Sequence, residues 1–319
     1  MDNVSHTLTG WALARAAGYP PPPGTALALV LASNLPDIDL VLEARSDAAY
    51  ILFHRGLTHS LVGLVVLPLA LAAALWWAYG GRTRFGWLAL VSAAGVAMHL
   101  LYDLVTPWGT MLLYPFSSER FALDWLFIVD LVTWALPAGV LVVSRLRPER
   151  GRTAVAAWLL ALLVYGVSAA GIHRQAVSAV VVFERAQGRA VAEAVAFPRL
   201  GAPWRWSGIA VAPPDQPEPR IAVHRMRGIP PDAAPADRID RGFDDPWAAR
   251  ALATREGQAY LWWARVPVAE VARTESLAVV TLRDLRFGRG VAPAAESWTP
   301  FALRFRFDRR SGRLIDVTW

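Results

Sequence analysis

The sequence predicts an all-α transmembrane bundle of about four long spans, opened by a hairpin of two short helices and followed by a small, mostly β extramembrane domain. Three observations predict this. The 319-residue chain is 55% hydrophobic with a mean hydropathy of +0.33, which is high for a water-soluble protein. Four stretches, Ser60 to Tyr79, Phe85 to Val105, Leu123 to Val143 and Thr153 to Ile172, are apolar and near the length of about 20 residues that crosses a ~30 Å hydrocarbon core. Charge divides at the same point: ten Arg balance ten acidic residues up to Ile172, whereas 22 Arg face 16 acidic residues from His173 onward. Residues 1–172 are therefore expected to form a membrane-embedded helical domain and 173–319 an extramembrane β-rich one.

All 32 basic residues are Arg, a bias that fits genomic base composition, and no nucleic-acid partner is expected. The absence of cysteine excludes disulfides and thiolate metal sites. Met1 to Gly18 lacks a basic start and a clean apolar core, so no cleavable signal peptide is expected and insertion falls to the internal helices into the lipid bilayer.

The N-terminal hairpin comes first. Val4, Leu8, Trp11, Ala12 and Ala16 recur at helical spacing, with His6 near the start. Four prolines between Tyr19 and Gly24 end that helix, and Thr25 to Leu35 returns toward Pro36-Asp37-Ile38-Asp39. A tight turn makes the two helices antiparallel, so His6 and the Asp37/Asp39 pair can meet. The interfacial segment Glu43 to His59 then carries His54-Arg55-Gly56-Leu57-Thr58-His59-Ser60. In the second long helix His99 and Asp103 stand four apart, on one face near its C-terminal end. Thr106-Pro107-Trp108-Gly109 breaks the chain, and Asp124 is expected at the start of the third span with Asp130 two turns in.

From about Val177 shorter runs predict strands at Ala179 to Phe183, Ile221 to Met226, Ala259 to Val266, Leu277 to Leu285 and Phe301 to Phe307. A turn at Asp308 to Gly312 leads into Leu314 to Trp319 as a hairpin, and Pro-rich loops fill Ala212 to Pro219 and Gly228 to Asp237.

Arg82 and Arg84 after the first long helix, and Arg145, Arg147, Arg150 and Arg152 after the third, lie on one side. The positive-inside rule makes that side cytoplasmic. Every candidate ligand and the C-terminal domain then fall on the extracytoplasmic side.

Ionisable residues at membrane depth are costly and read as functional with a named partner. Singly, His6 reads equally as a cap or interface residue, and Asp37 after Pro36 as the start of a turn. His54 and His59 face one another only if Gly56 loops the backbone. Asp130 reads as structural, and His173 and His224 as ordinary. Together His6, Asp37, Asp39, His54, His59, His99 and Asp103 form a His/carboxylate set suited to zinc, manganese or iron. Seven such groups exceed the needs of one tetrahedral ion. Two or three divalent ions sharing a site fit better, an arrangement that serves phosphoester displacement.

His6, Pro36-Asp37-Ile38-Asp39, the His54 to Ser60 run, and His99 with Asp103 and Thr106 resemble, in this order, the motif series of the YdjM-like family, inner-membrane-associated proteins regarded as metal-dependent hydrolases. The resemblance covers Met1 to about Asp130; Pro203-Trp204-Arg205-Trp206 and Leu282 to Phe287 are similar to the tail of longer members. In ligand order the family is similar, more remotely, to the all-helical, three-zinc phospholipase C and P1 nuclease group. The resemblance implies metal ligation by His6, Asp37, His54, His59, His99 and Asp103, with Asp39 bridging or supporting. Arg55 would hold a phosphate oxygen, and Thr58, Ser60 and Thr106 would orient the ligands.

The expected function is a membrane-bound hydrolase of phosphoesters, such as a phospholipid or related lipid phosphate, using metal-activated water with zinc as the first candidate. Asp39 or Asp124 would accept the water proton. Two alternatives stay open: a non-catalytic metal-binding scaffold or stress-linked regulator, and a proton- or cation-coupled transporter using His99, Asp103 and Asp130. Transporter sites belong nearer the bilayer midplane, whereas all these groups but Asp130 sit at helix ends.

Overall fold

A computed structural model describes the chain except for residues 19, 45–46, 201, 218, 235, 288–300 and 319. Tyr19 of the predicted proline stop, Pro235 of the second Pro-rich loop and Trp319 of the last strand lie outside the described residues. The chain divides into two compact units, one of residues 1–41, 53–171 and 200–203, the other of 42–52, 172–199 and 204–319.

The first unit begins with helix α1 (Asn3–Leu13), whose first amides donate to the side chain of Asp2, the N-cap. Helix α2 (Thr25–Ala32) starts after the prolines, at Gly24 with φ +80. The two helices touch backbone to backbone, since a Cβ on Gly10 would lie 2.7 Å from the Leu29 carbonyl oxygen. The chain continues through a 3-10 helix, Leu35–Ala44, and helix α3 (Asp47–Phe53). A 3-10 turn, Leu57–His59, leads into α4 (Leu61–Ala78), capped by the Ser60 hydroxyl accepting from the Gly63 amide.

Helix α5 (Phe85–Leu104) packs on α2 and α4. A core of Ala28, Leu29, Ala72, Leu75, Leu88 and Val91 lies between them, and Ala32 comes so near α5 that a Cβ on Gly95 would be 2.7 Å from its methyl. Helices α6 (Leu131–Leu146) and α7 (Gly151–Ala186) follow.

Three helical segments are long and apolar enough to cross a membrane: Leu61–Ala78, Phe85–Leu104 and Pro148–Ala186. The third predicted span differs. Leu123 is not in a helix: the amides of Leu123 and Trp125 donate to the carbonyls of Leu104 and Val105, and Asp124 between them has φ +58. Asp130 is likewise not two turns inside a helix but the N-cap of α6, accepting from Val132 and Thr133 amides and from the Tyr165 hydroxyl at 2.7 Å. At 16 residues α6 is about 24 Å long, short of a ~30 Å core. The fourth predicted span lies inside α7, which runs on to Ala186.

That continuation corrects the strand expected at Ala179 to Phe183. Its β-branched residues are helical, with Val180 buried beside Ala176 under a sheet. In the second unit β1 (Glu193–Arg199), β2 (Ala202–Val211), β3 (Ile221–Arg227) and β4 (Asp232–Ala233) pair in that order, and β5 (Asp237–Ile239) pairs β3. Helices α8 (Pro246–Leu252) and α9 (Arg255–Trp263) follow, so most of the strand expected at Ala259 to Val266 is helix, with Tyr260 and Trp263 buried and Trp262 exposed. The second sheet is an antiparallel meander of β6 (Pro267–Arg273), β7 (Leu277–Asp284), β8 (Leu303–Asp308) and β9 (Leu314–Thr318), the last two forming the expected hairpin. Phe197, Ile209, Ile221 and Val223 of the first sheet meet Val268 of the second in a shared core with Val266 and Leu285.

Candidate metal centre

Three pieces of chain meet at one end of α5: the 3-10 helix after α2, the turn before α4, and the last turn of α5 itself. They bring Asp37, His59, His99 and Asp103 together, one donor atom from each lying within 4.8 Å of every other. His59, His99 and Asp103 are fully buried and Asp37 is 9% exposed.

The ring protons can be assigned by elimination. His99 Nδ1 is 2.7 Å from the Ser33 carbonyl oxygen, which only accepts, so Nδ1 carries the proton and Nε2 presents a lone pair. His59 Nδ1 lies 3.2 Å from Asp39 Oδ2 and 3.1 Å from Thr58 Oγ1. The Thr58 hydroxyl donates to that same carboxylate oxygen at 3.0 Å, so Nδ1 of His59 is also the donor. The two Nε2 atoms nevertheless face each other at 3.0 Å. Around them stand Asp103 Oδ2, at 3.2 and 3.3 Å from His59 and His99, and Asp37 Oδ1, at 3.4 and 3.6 Å. Were both imidazoles neutral they would have no proton to share, and both carboxylate oxygens add negative charge. Only a cation or an added proton relieves the contact.

The spacing fits a metal ion. Donors held about 2.0–2.1 Å from a tetrahedral zinc are themselves about 3.3–3.4 Å apart, close to the five separations above. Asp103 Oδ2 and both nitrogens of the buried His6 have no hydrogen-bond partner among the described residues, as expected of atoms aimed at an ion.

The electrostatics point the same way. Burial opposes a charge on His59, yet the carboxylates of Asp103, Asp37 and Asp39 raise its pKa to about 10. Burial likewise opposes ionisation of Asp37, but its contacts with His59 and His99 bring it to about 2. Burial, reinforced by the neighbouring His99, lowers His6 to about 3, so His6 is a neutral donor.

Asp39 is held apart from this set. Its Oδ1 contacts His54 Nδ1 at 2.8 Å, and its Oδ2 accepts from the Arg55 amide at 2.9 Å as well as from Thr58 and His59. It therefore orients two imidazoles, the arrangement of a carboxylate supporting a metal-bound histidine. His54 is outside the four-donor group, its ring edge-on to Trp108 and His59. His6 is stacked on His99 with ring centroids 3.8 Å apart, and its Nε2 is 3.6 Å from Asp103 Oδ1. That oxygen also meets the α-amino group of Met1.

Arg55 is buried and directed inward. Its Nη2 is 2.9 Å from Asp103 Oδ1 and its Nη1 donates to Thr106 Oγ1 at 3.0 Å; Thr106 in turn donates to the Asp103 carbonyl at 2.8 Å. Arg55 and Thr106 thus fix Asp103. The Ser60 hydroxyl serves the backbone alone, donating to Leu57 O and accepting from Gly63 N. Asp124 is buried beside the end of α5, placed there by the flanking backbone bonds.

The turn itself is built from two special residues. Arg55 takes φ +59, and its carbonyl accepts from the Met111 amide. Gly56 has an ordinary φ of −93; glycine is required there because a Cβ would lie 2.6 Å from the Phe53 carbonyl oxygen. Arg120 closes the outer side, donating to His54 O and Gly109 O. Sequence reasoning missed the Ser33 carbonyl and the Met111 amide, which are backbone groups that no side-chain pattern announces.

Comparison with known proteins covers the part of the chain that builds this centre. A family model described as YdjM inner membrane protein matches residues 1–175. The chain is 34% identical over 131 residues to "Uncharacterized protein YfhP" of Bacillus subtilis (strain 168), covering 39% of this chain and 40% of that protein. It is 38% identical over 109 residues to "Inner membrane protein YbcI" of Escherichia coli (strain K12), covering 33% and 61% respectively. The matches thus span less than two thirds of either relative. No solved structure matches the chain.

Proposed function

The chain belongs to the YdjM inner membrane protein family, and from that premise we propose that it is a membrane-bound, metal-dependent hydrolase of phosphoesters. The observation that carries the proposal is the pair of imidazole Nε2 atoms facing each other at 3.0 Å between two buried carboxylates. Asp37, His59, His99 and Asp103 would hold the ion, with zinc the first candidate from the His/carboxylate donor set. His6, whose ring nitrogens have no hydrogen-bond partner among the described residues, offers a donor for a second ion. A bound divalent ion supplies positive charge that polarises a phosphoryl oxygen and acidifies water.

The chain's own groups divide the remaining work. Asp39 and Thr58 hold His59, Ser33 holds His99, and Arg55 with Thr106 holds Asp103. Asp124, buried beside the end of α5, is the carboxylate proposed to accept a proton released from water. Taking α6 as a crossing despite its 16 residues, the Arg-rich loops after α4 and α6 fall on one side, and the positive-inside rule then supports an extracytoplasmic site and second unit. The chain has no cysteine, so a membrane-impermeant maleimide applied to whole cells should label an Ile229→Cys variant; labelling only after lysis would reverse the orientation.

The test of function is metal analysis of the purified protein together with hydrolysis of a phosphomonoester and a phosphodiester, comparing wild type with His99→Ala. The expected result is stoichiometric metal and turnover, both lost in the variant. Metal without turnover would leave a metal-binding scaffold, and no bound metal would refute the proposal.

A further inference from the structure

The least buried of the four donors is Asp37, so the cluster communicates with its surroundings along the 3-10 helix that carries it. That helix is apolar on its outer ridge. Ile38 is 60% exposed and Val41, one 3-10 turn later, 70%. Across the site, Leu57 and Leu61 flank His59 and are 51% and 52% exposed. At spacings of four they continue into Val65 on α4, 60% exposed, along one side of a helix apolar enough to span the bilayer. The loop after α5 joins this rim: the Leu61 amide donates to the Leu112 carbonyl at 2.9 Å, and Phe116, four residues on, is 87% exposed.

An exposed apolar band of this kind around a polar centre marks an interaction surface. Its continuity with the lipid-facing side of α4 identifies the occupant as the acyl region of the bilayer. Resting on the hydrolase reading above, we infer that the rim of Ile38, Val41, Leu57, Leu61 and Phe116 is seated in the membrane, and that the substrate is an acyl-chain-bearing phosphoester reaching Asp37 laterally from the lipid. A water-soluble phosphoester would meet this rim only from above and would gain nothing from it. Chain length sets how strongly the ester partitions into the bilayer that feeds the site, so it should be felt in kcat/KM.

The test uses the cysteine-free chain in proteoliposomes. Ile38→Cys and Val65→Cys are labelled with a small fluorophore and exposed to bromine-labelled lipids, with Ile229→Cys on the second unit as the aqueous reference. Turnover of a long-chain glycerol phosphoester is compared with that of its four-carbon-chain analogue on the unlabelled protein. The expected result is quenching at position 38 comparable to position 65, and kcat/KM at least tenfold higher for the long chain. Quenching at position 38 no greater than at 229 would overturn the inference, as would equal kcat/KM for both chains. Turnover of neither ester, with position 38 quenched, would refute the hydrolase reading and the substrate assignment while upholding the seated rim.

Discussion

Asp39→Asn separates a supporting carboxylate from a ligating one. Asp39 receives four contacts, three of them on Oδ2 from the Arg55 amide, Thr58 Oγ1 and His59 Nδ1, and one on Oδ1 from His54 Nδ1. An asparagine of the same shape can place its single oxygen at the Oδ2 position and keep His59 oriented, while its amide turns a donor toward His54, which can change tautomer to accept it. The charge behind His59 is nevertheless lost, and with it part of the ring's basicity toward an ion. Loss of such a partner typically costs 10–100-fold in metal affinity, or about 1.4–2.7 kcal/mol. Asp37→Asn removes a donor from the cluster and should cost more, by roughly another tenfold. Competition against a fluorescent zinc chelator in detergent measures both, with melting curves of the metal-free proteins as the control for folding. The reasoning fails if Asp39→Asn changes affinity less than threefold, or if it matches Asp37→Asn.

Protonation supplies a second test, because the folded pKa of His59 is raised from 6.5 to about 10. A raised pKa stabilises the metal-free fold fully below about pH 6.5, and that contribution is lost as pH rises toward 10. Metal binding displaces the same proton, so the Tm difference between metal-loaded and chelator-treated protein should widen from pH 6.5 to 9.5; a constant difference would contradict the assignment. Gly95→Val would force α2 from α5, since even a Cβ lies 2.7 Å from the Ala32 methyl and 3.1 Å from the Ser33 amide. Overpacking of this kind costs about 1–3 kcal/mol, read as a lower Tm, and the shift of Ser33 away from His99 should also weaken zinc binding. In the second unit Glu184 is buried between His224 Nε2 at 3.1 Å and Arg238 Nη2 at 2.5 Å, and Glu184→Ala leaves both without their carboxylate. The expected loss is about 3 kcal/mol, with faster amide exchange in β3 and β5 and zinc affinity unaltered.

The elements legible in the sequence are those set by local chemistry. The apolar runs of α4 and α5 are bounded by the Ser60 cap and by the Gly80-Gly81 turn, and the structure places their ends within a residue or two of the expected positions. The stretch from Leu123 to Val129 is equally apolar, but backbone bonds to the end of α5 hold it out of a helix, a tertiary decision that hydropathy does not contain. The same holds for Val180-Val181-Val182, whose β-branching reads as strand until the covering sheet is known. In the centre, the spacing of His99 and Asp103 gave their shared face directly. The different duties of Asp37 and Asp39 could not be read, because they depend on where Thr58 and the Arg55 amide fall once Arg55 takes a positive φ.

Charge explains why this arrangement would favour a cation. Asp37, Asp39 and Asp103 have side chains 8%, 7% and 0% exposed, and an uncompensated buried carboxylate is costly. Asp39 is satisfied by four hydrogen-bonding contacts, and Asp103 Oδ1 by Arg55, with the Met1 amino group beside it pushed toward its neutral form by burial. Asp37 and Asp103 Oδ2 have nothing comparable: they face His59 and His99 through Nε2 atoms that carry lone pairs. A proton raises His59 to an imidazolium and covers one negative charge, which accounts for its elevated pKa without covering the second. A divalent ion covers both and removes the 3.0 Å lone-pair contact in the same step. On the proposed reading the fold would therefore support an ion from three directions, through Ser33, Asp39 and Arg55, with the least buried acid, Asp37, as the side from which a substrate oxygen would approach.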